Sequence, residues 1–295
     1  MSSFPSRRGF LLGVSGLAGA GLGAGARNQP GLPASGGLAR VQGAFIDSRR
    51  VLLWECTRKE IREALEGGRL KAAIVPTGST EQHNEHLAMI QDTASAVLVA
   101  QQAALQLWPQ VTVATPVAVG ISPYWMERPG TLTLRPETYL AMVYDICDSL
   151  RQHGLKTIFI VNGHGGNDKP LREHLAEFRS KLGVNIDACS YWDAFAEAAN
   201  REEAKKYMET GIENIPGHSA EFETSFALAA FPERVHRDGV DYEKVRLNLK
   251  DPKDAADDRR YYYESLKARA EKGEALMRIA VDWVADRLRR MIAAS

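Results

Sequence analysis

The chain alternates two hydrophobic patterns. Short apolar runs rich in β-branched residues occur at 73–77, 111–119, 157–161 and 185–191. Their length and composition suit buried strands. Between them, Thr93–Leu107, Pro136–His153 and Lys169–Leu182 place apolar residues three and four apart, the spacing of one helical face. Pro136 falls where a first helical turn tolerates it, and Gly154 terminates that helix. After Arg260 the pattern predicts a long final helix, Tyr261–Ile292, interrupted near Gly273. Strand–helix alternation on this scale predicts an α/β fold, a sheet covered by helices on both faces, in one domain spanning 45–295. The unusual loops (81–92, 120–130 and 162–168) each follow a strand. Open α/β sheets bind ligands outside the carboxyl ends of their strands, so these loops can converge on one site.

Charge narrows the partners. The 295 residues carry 37 basic and 37 acidic side chains, a formal net charge of zero. Phosphate binding needs a basic footprint, so nucleic acid is not the expected partner. Cys56, Cys147 and Cys189 are odd in number, lack ligand spacing and read as buried thiols. The amino terminus differs in kind. Ser-Arg-Arg-Gly-Phe-Leu-Leu, residues 6–12, precedes a short Gly-rich apolar run, the order of a twin-arginine export signal over 1–27. A Pro/Gly-rich leader over 28–44 follows. The run falls short of the roughly 20 apolar residues of a spanning helix, so the expectation is periplasmic export with no membrane segment after cleavage.

The candidate chemistry lies behind the first strand. Gly-Ser-Thr-Glu-Gln-His-Asn-Glu-His-Leu, residues 78–87, and Asp92 concentrate carboxylates and imidazoles in a stretch without helical periodicity. Glu81 and His83 are two apart, which in an extended loop puts both on one side, and their oxygen and nitrogen donors suit zinc, manganese or iron. Asp92 stands just before a predicted helix, where an N-cap role is compatible with a ligand role. In Asn-Gly-His-Gly-Gly-Asn, residues 162–167, His164 is flanked by glycines at a strand end, a context that core packing does not explain. In Gly-His-Ser-Ala-Glu-Phe-Glu-Thr-Ser, residues 217–225, a helix starting near Ser219 would turn Glu221 and Glu223 to different faces, so one of them serves as a ligand.

Taken together and in this order, with Pro129-Gly-Thr131 between the first two, these motifs resemble the creatininase (creatinine amidohydrolase) family over roughly residues 50–240. The resemblance implies a three-layer α/β/α fold with a mostly parallel sheet, two divalent metal ions (Zn, Mn or Fe) and self-association, commonly as a hexamer. It implies that Glu81 and His164 bind one ion, His83 and Glu223 the other, and that Asp92 bridges them. Creatininase itself resembles this pattern but takes one ligand from a glutamate two residues after the second-motif histidine; Gly166 stands there in this chain, which favours Glu223 and points away from creatinine itself. Other departures concern the pocket. Asn84-Glu85 replaces the usual Gly-Pro, and in the 120–131 segment Trp125 stands for a histidine and Arg128 for a phenylalanine. Glu85, Tyr124, Trp125 and Arg128 are therefore the expected pocket residues.

The resemblance implies a metal-activated water attacking a small cyclic amide or related C–N bond. His218 is the candidate for proton delivery, with Glu221 as alternative, because near-neutral groups serve both halves of a transfer. Two alternatives stand beside it: opening of a cyclic ketone or lactone of a sugar or inositol derivative, and an exported metal- or solute-binding protein without catalysis.

Overall fold

The computed structural model describes residues 50–238, 240, 241 and 252–295. The expected export signal and leader lie outside these residues.

The elements run in chain order as α1 (Arg58–Glu66), β1 (Ala72–Thr77), α2 (Gln91–Gln106), β2 (Val111–Val113), α3 (Pro136–Gln152), β3 (Thr157–Asn162), α4 (Gly165–Leu182), β4 (Asn185–Ser190), α5 (Ala198–Ala204), α6 (Glu221–Ala230), α7 (Pro252–Ser265) and α8 (Ala270–Ala293). The four strands form one sheet in the order β2-β1-β3-β4, with every pairing parallel. Successive residues of β1 serve opposite faces, as the pleat requires. Ala72 and Ile74 join the core built with α2, α6 and α8, whereas Ala73 and Val75 join the one built with α3 and α4. A sheet buried on both faces explains why the strands read as continuous apolar runs without alternation. The result is the three-layer α/β/α architecture, and none of the described helices is long and apolar enough to cross a membrane.

Three expectations need correction. The second strand ends at Val113, not Val119. Pro116 has no N–H for the ladder, and the chain rejoins β1 at Val117 alone, whose N–H donates to the Pro76 carbonyl at 3.0 Å and whose carbonyl accepts the Gly78 N–H at 2.9 Å. Helix α4 starts at Gly165, after a two-residue turn from β3 and four residues earlier than the apolar spacing indicates. The final helix is two helices, broken at 266–269. Gly273 sits inside α8, where it allows a close crossing: a Cβ there would stand 1.9 Å from the Ser225 carbonyl oxygen of α6. Cys56, Cys147 and Cys189 are free thiols, Cys147 and Cys189 buried as expected but Cys56 only half-buried.

The sheet order sets the site. From β1 the chain moves outward to β2 and then returns to the other side of β1 as β3. The carboxyl ends of β1 and β3 are therefore the point where strand order reverses, the crevice in which such sheets hold ligands. Both long motif loops leave from there.

Candidate metal centre

Five buried side chains meet at this crevice. Glu81 and His83 come from the loop after β1, Asp92 from the first turn of α2, His164 from the turn between β3 and α4, and Glu223 from the first turn of α6. Asp92 is the shared member. Its Oδ1 lies 2.9 Å from His83 Nε2 and its Oδ2 lies 2.9 Å from His164 Nδ1. On one side, Glu81 Oε1 is 3.4 Å from His164 Nδ1; on the other, Glu223 Oε2 is 3.5 Å from His83 Nε2. Glu81, Asp92 and His164 thus form one donor triad, and His83, Asp92 and Glu223 a second. The structure places Asp92 inside the helix, after an Ile90 N-cap, so its side chain does no capping.

The residues fit a pair of divalent cations. At 2.9 Å an imidazole and a carboxylate should form a charge-assisted hydrogen bond. Yet His83 Nε2, Asp92 Oδ2 and Glu81 Oε2 are buried without a hydrogen-bond partner. Buried polar atoms are rarely left so, and leaving one unpaired costs about 1–3 kcal/mol. The ligand atoms of each triad lie within 4.8 Å of one another, close enough to share one ion. Nitrogen and oxygen ligands without thiolate are the chemistry of zinc, manganese or iron sites.

In the ion-free chain the cluster's electrostatics follow from proximity. Burial disfavours charge on His83, but Asp92, Glu223 and Glu81 outweigh it and hold the imidazole at about 10. His164 is likewise disfavoured by burial and raised to about 10 by Asp92 and Glu81. Burial raises Asp92, but the two imidazoles pull it well below the usual carboxylate range. Glu223 is pushed up to about 8, chiefly by burial. A divalent ion binding among these carboxylates would displace protons from the two imidazoles.

Second contacts brace the ligand loops. His86 Nε2 lies 3.0 Å from the Ser219 carbonyl and 3.1 Å from Thr224 Oγ1. The Asn162 amide donates to the His164 carbonyl at 2.7 Å. A hydrogen bond from Asn84 Nδ2 to Ser219 Oγ, 2.8 Å, ties the first and third motif loops. Asn84 and Ser219 are the described non-glycine residues with positive φ, 57° and 52°, and each directly follows a site histidine. Such backbone strain persists only where surrounding contacts over-determine it, and it gathers at functional sites.

The other expected residues divide. His218 does face the cluster, with Nδ1 3.8 Å from Glu81 Oε1. Burial and the neighbouring His83 push its imidazole well below the ordinary value. Tyr124 is exposed at the rim, its hydroxyl 3.3 Å from His164 Nε2. Trp125 stacks on His218, ring centroids 4.3 Å apart. Glu85 is exposed. Two assignments are overturned. Glu221 does not reach the site: its carboxylate accepts from Lys272 Nζ at 2.5 Å and from the Glu209 and Thr210 N–H groups at 3.1 and 2.7 Å. Two residues along a helix is about 200°, so Glu221 turns away as Glu223 turns in. Arg128 is no pocket cation either. It is 6% exposed and makes a two-pronged ion pair with Asp258 of α7, at 2.9 and 3.0 Å. Sequence reasoning missed Asp258 and Gln82, since neither shows a role without its distant partner.

Gly166 has a structural role that its motif does not reveal. A Cβ there would stand 2.0 Å from the Ile121 carbonyl and 2.6 Å from the Tyr124 hydroxyl. No side chain at 166 can enter this site, and the Tyr124 hydroxyl fills the space above His164.

A parallel α/β/α sheet carrying two carboxylate–imidazole triads that share Asp92 at its switch point, with a third group of Glu81, His83 and His218 beside them, defines a candidate metal-binding α/β protein. The Creatininase profile, described as creatinine amidohydrolase, matches residues 54–288. The chain is similar to the 3-dehydro-scyllo-inosose hydrolase of Thermotoga maritima, 30% identical over 191 residues, covering 63% of this chain and 58% of that protein. It is 28% identical to the creatinine amidohydrolase of Pseudomonas putida over 264 residues, 82% of this chain and 97% of that one. Among solved structures, a mutant creatininase of Zn-Zn type superposes with a TM-score of 0.66 at 25% identity, covering 82% of this chain and 98% of that one. The chain belongs to the creatininase family.

Proposed function

We propose that this protein is a dinuclear metallohydrolase that attacks a small cyclic amide or related C–N bond, with creatinine itself not the substrate. The observation that carries the reading is Asp92, one oxygen on each triad, with His83 Nε2, Asp92 Oδ2 and Glu81 Oε2 buried and unpaired. Glu81, His164 and Asp92 would hold one ion, and His83, Glu223 and Asp92 the other. Divalent ions bound there would supply Lewis acidity and a water ionised near neutral pH. The protein's own contribution is to fix the donors in a dry crevice, so little reorganisation accompanies reaction. His218, which faces Glu81 outside both Asp92 triads, is the side chain positioned to meet the substrate.

The site differs from that implied by the creatininase pattern at one ligand position and at pocket positions. Gly166 admits no side chain, Arg128 is consumed by Asp258, and Tyr124 and Trp125 wall the crevice. A second reading, opening of a cyclic ketone of an inositol derivative, is favoured by the similarity to the 3-dehydro-scyllo-inosose hydrolase. We further propose that the chain is exported through its paired arginines, Arg7 and Arg8, and works as a homo-oligomer.

The test is turnover by the purified, metal-loaded chain of a panel of lactams, formamides, creatinine and oxidised inositols. Amine release from a lactam or formamide supports the first reading, and an acid product without nitrogen supports the second. Metal content unchanged by Glu81→Ala and His164→Ala would end both. Export is tested by replacing Arg7 and Arg8 with Lys, which should leave the protein in the cytoplasm.

A further inference from the structure

His218 sits in a loop three residues before α6, so no helix or strand fixes its ring. Side chains do. The Gln82 Oε1 accepts the Asn84 N–H at 2.9 Å, which settles the orientation of that amide. The other end of the amide, Nε2, then faces His218 Nε2 at 2.8 Å. An amide nitrogen only donates, so His218 Nε2 accepts, and the proton of the neutral ring resides on Nδ1. Nδ1 is the nitrogen on the cluster side, nearest Glu81.

The ring plane has its own support. Trp125 stacks on His218 at an interplanar angle of 23°, and His83 lies tilted beside it with centroids 4.5 Å apart. The Arg128 guanidinium backs Trp125, 4.5 Å from its ring centroid, while its ion pair with Asp258 anchors it to α7. The Asn84 amide also donates to the Asp258 carbonyl at 3.1 Å. Three departures from the family pattern, Asn84, Trp125 and Arg128, thus converge on one assembly around His218.

We propose that Gln82 and Trp125 are positioning residues: Gln82 selects the Nδ1–H tautomer of His218, Trp125 fixes its plane, and His218 meets the substrate as a hydrogen-bond donor. That donor would stabilise negative charge developing on the substrate oxygen, and it revises the proton-delivery role that sequence alone suggests. The inference rests on the metallohydrolase reading for the identity of the substrate, but its geometry does not.

The experiment uses the full chain, labelled with 15N-histidine and purified with its own metal. Long-range 1H–15N correlation reports which nitrogen of each ring carries the proton, and the spectrum of His218→Gln assigns the resonance among the seven histidines. The expected result is Nδ1–H in the native chain and a switch to Nε2–H in Gln82→Glu, whose carboxylate can only accept. Gln82→Met should give a mixture. The His218 ring protons should show an upfield ring-current shift, kept in part by Trp125→Phe and lost in Trp125→Ala at unchanged metal content. Nε2–H in the native chain, an unchanged tautomer in Gln82→Glu, or no change in Trp125→Ala would overturn the proposal. Should Gln82→Glu fail to fold, the native tautomer and the Trp125 variants still decide it. A chain binding no metal would sink the functional reading and leave the tautomer result standing.

Discussion

The Arg128–Asp258 pair offers the sharpest energetic test of how the site's wall is held. Both side chains are buried, 6% and 2% exposed, and two hydrogen bonds of 2.9 and 3.0 Å join them. Removing one partner takes two charge-assisted hydrogen bonds from the other charge in a medium that solvates it poorly, a cost of about 3–5 kcal/mol. Replacing both with apolar groups of similar volume is often neutral, because the desolvation of two ions disappears with their attraction. Arg128→Met and Asp258→Leu should therefore each destabilise by about 3–5 kcal/mol. In a domain of this size that lowers the melting temperature by roughly 6–20 °C. The double variant should return to within about 2 kcal/mol of the native chain. Thermal and urea unfolding of the four proteins, metal-loaded, measure the cycle. Additivity of the two single effects to within about 0.5 kcal/mol would refute the reasoning, since uncoupled sites behave that way.

Three further outcomes follow from the same contacts. Asp92→Ala removes an oxygen from each triad and should strip both metals, whereas Glu223→Ala should retain one; elemental analysis of the purified variants distinguishes them. Glu221 is held below its ordinary value of 4.5, burial opposing but Lys272 and the Thr210 and Glu209 N–H groups prevailing. A depressed folded value stabilises above the unfolded value and is lost as pH falls through the folded one. The stability gap between the native chain and Glu221→Gln should thus be full at neutral pH and shrink below about pH 4 in urea unfolding. In the ion-free chain His83 and His164 are raised to about 10, so their contribution is full below their ordinary 6.5 and fades as pH rises through 10. Metal binding at neutral pH must then release protons, visible as a buffer-dependent enthalpy in titration calorimetry, and affinity should weaken as pH falls.

Much of the fold was legible because its strands are buried on both faces and its helices on one. Apolar runs and three-four spacing located β1, β3, β4, α2, α3 and α4 to within a few residues. The failures have physical causes. Pro116 interrupts the second strand while the surrounding valines still read as β, and the break at 266–269 carries no proline or glycine, so the pattern pointed to Gly273 instead. Gly273 is there for a helix crossing, a need that only the neighbour α6 creates.

For the site, the sequence by itself determined which chemistry was available. Carboxylates and imidazoles set among glycines and after buried strands are local signals, because strand ends and helix starts are local. Tertiary structure decided what each could reach. Glu221 and Glu223 are equivalent as residue types; the packing of α6 against α8 turns one to Lys272 and the other to His83. Arg128 becomes a structural ion only because Asp258, 130 residues away, meets it. The tautomer of His218 depends on an amide 136 residues distant. Hydrogen bonds and ion pairs act over about 3 Å, and only folding brings such separated groups within that range.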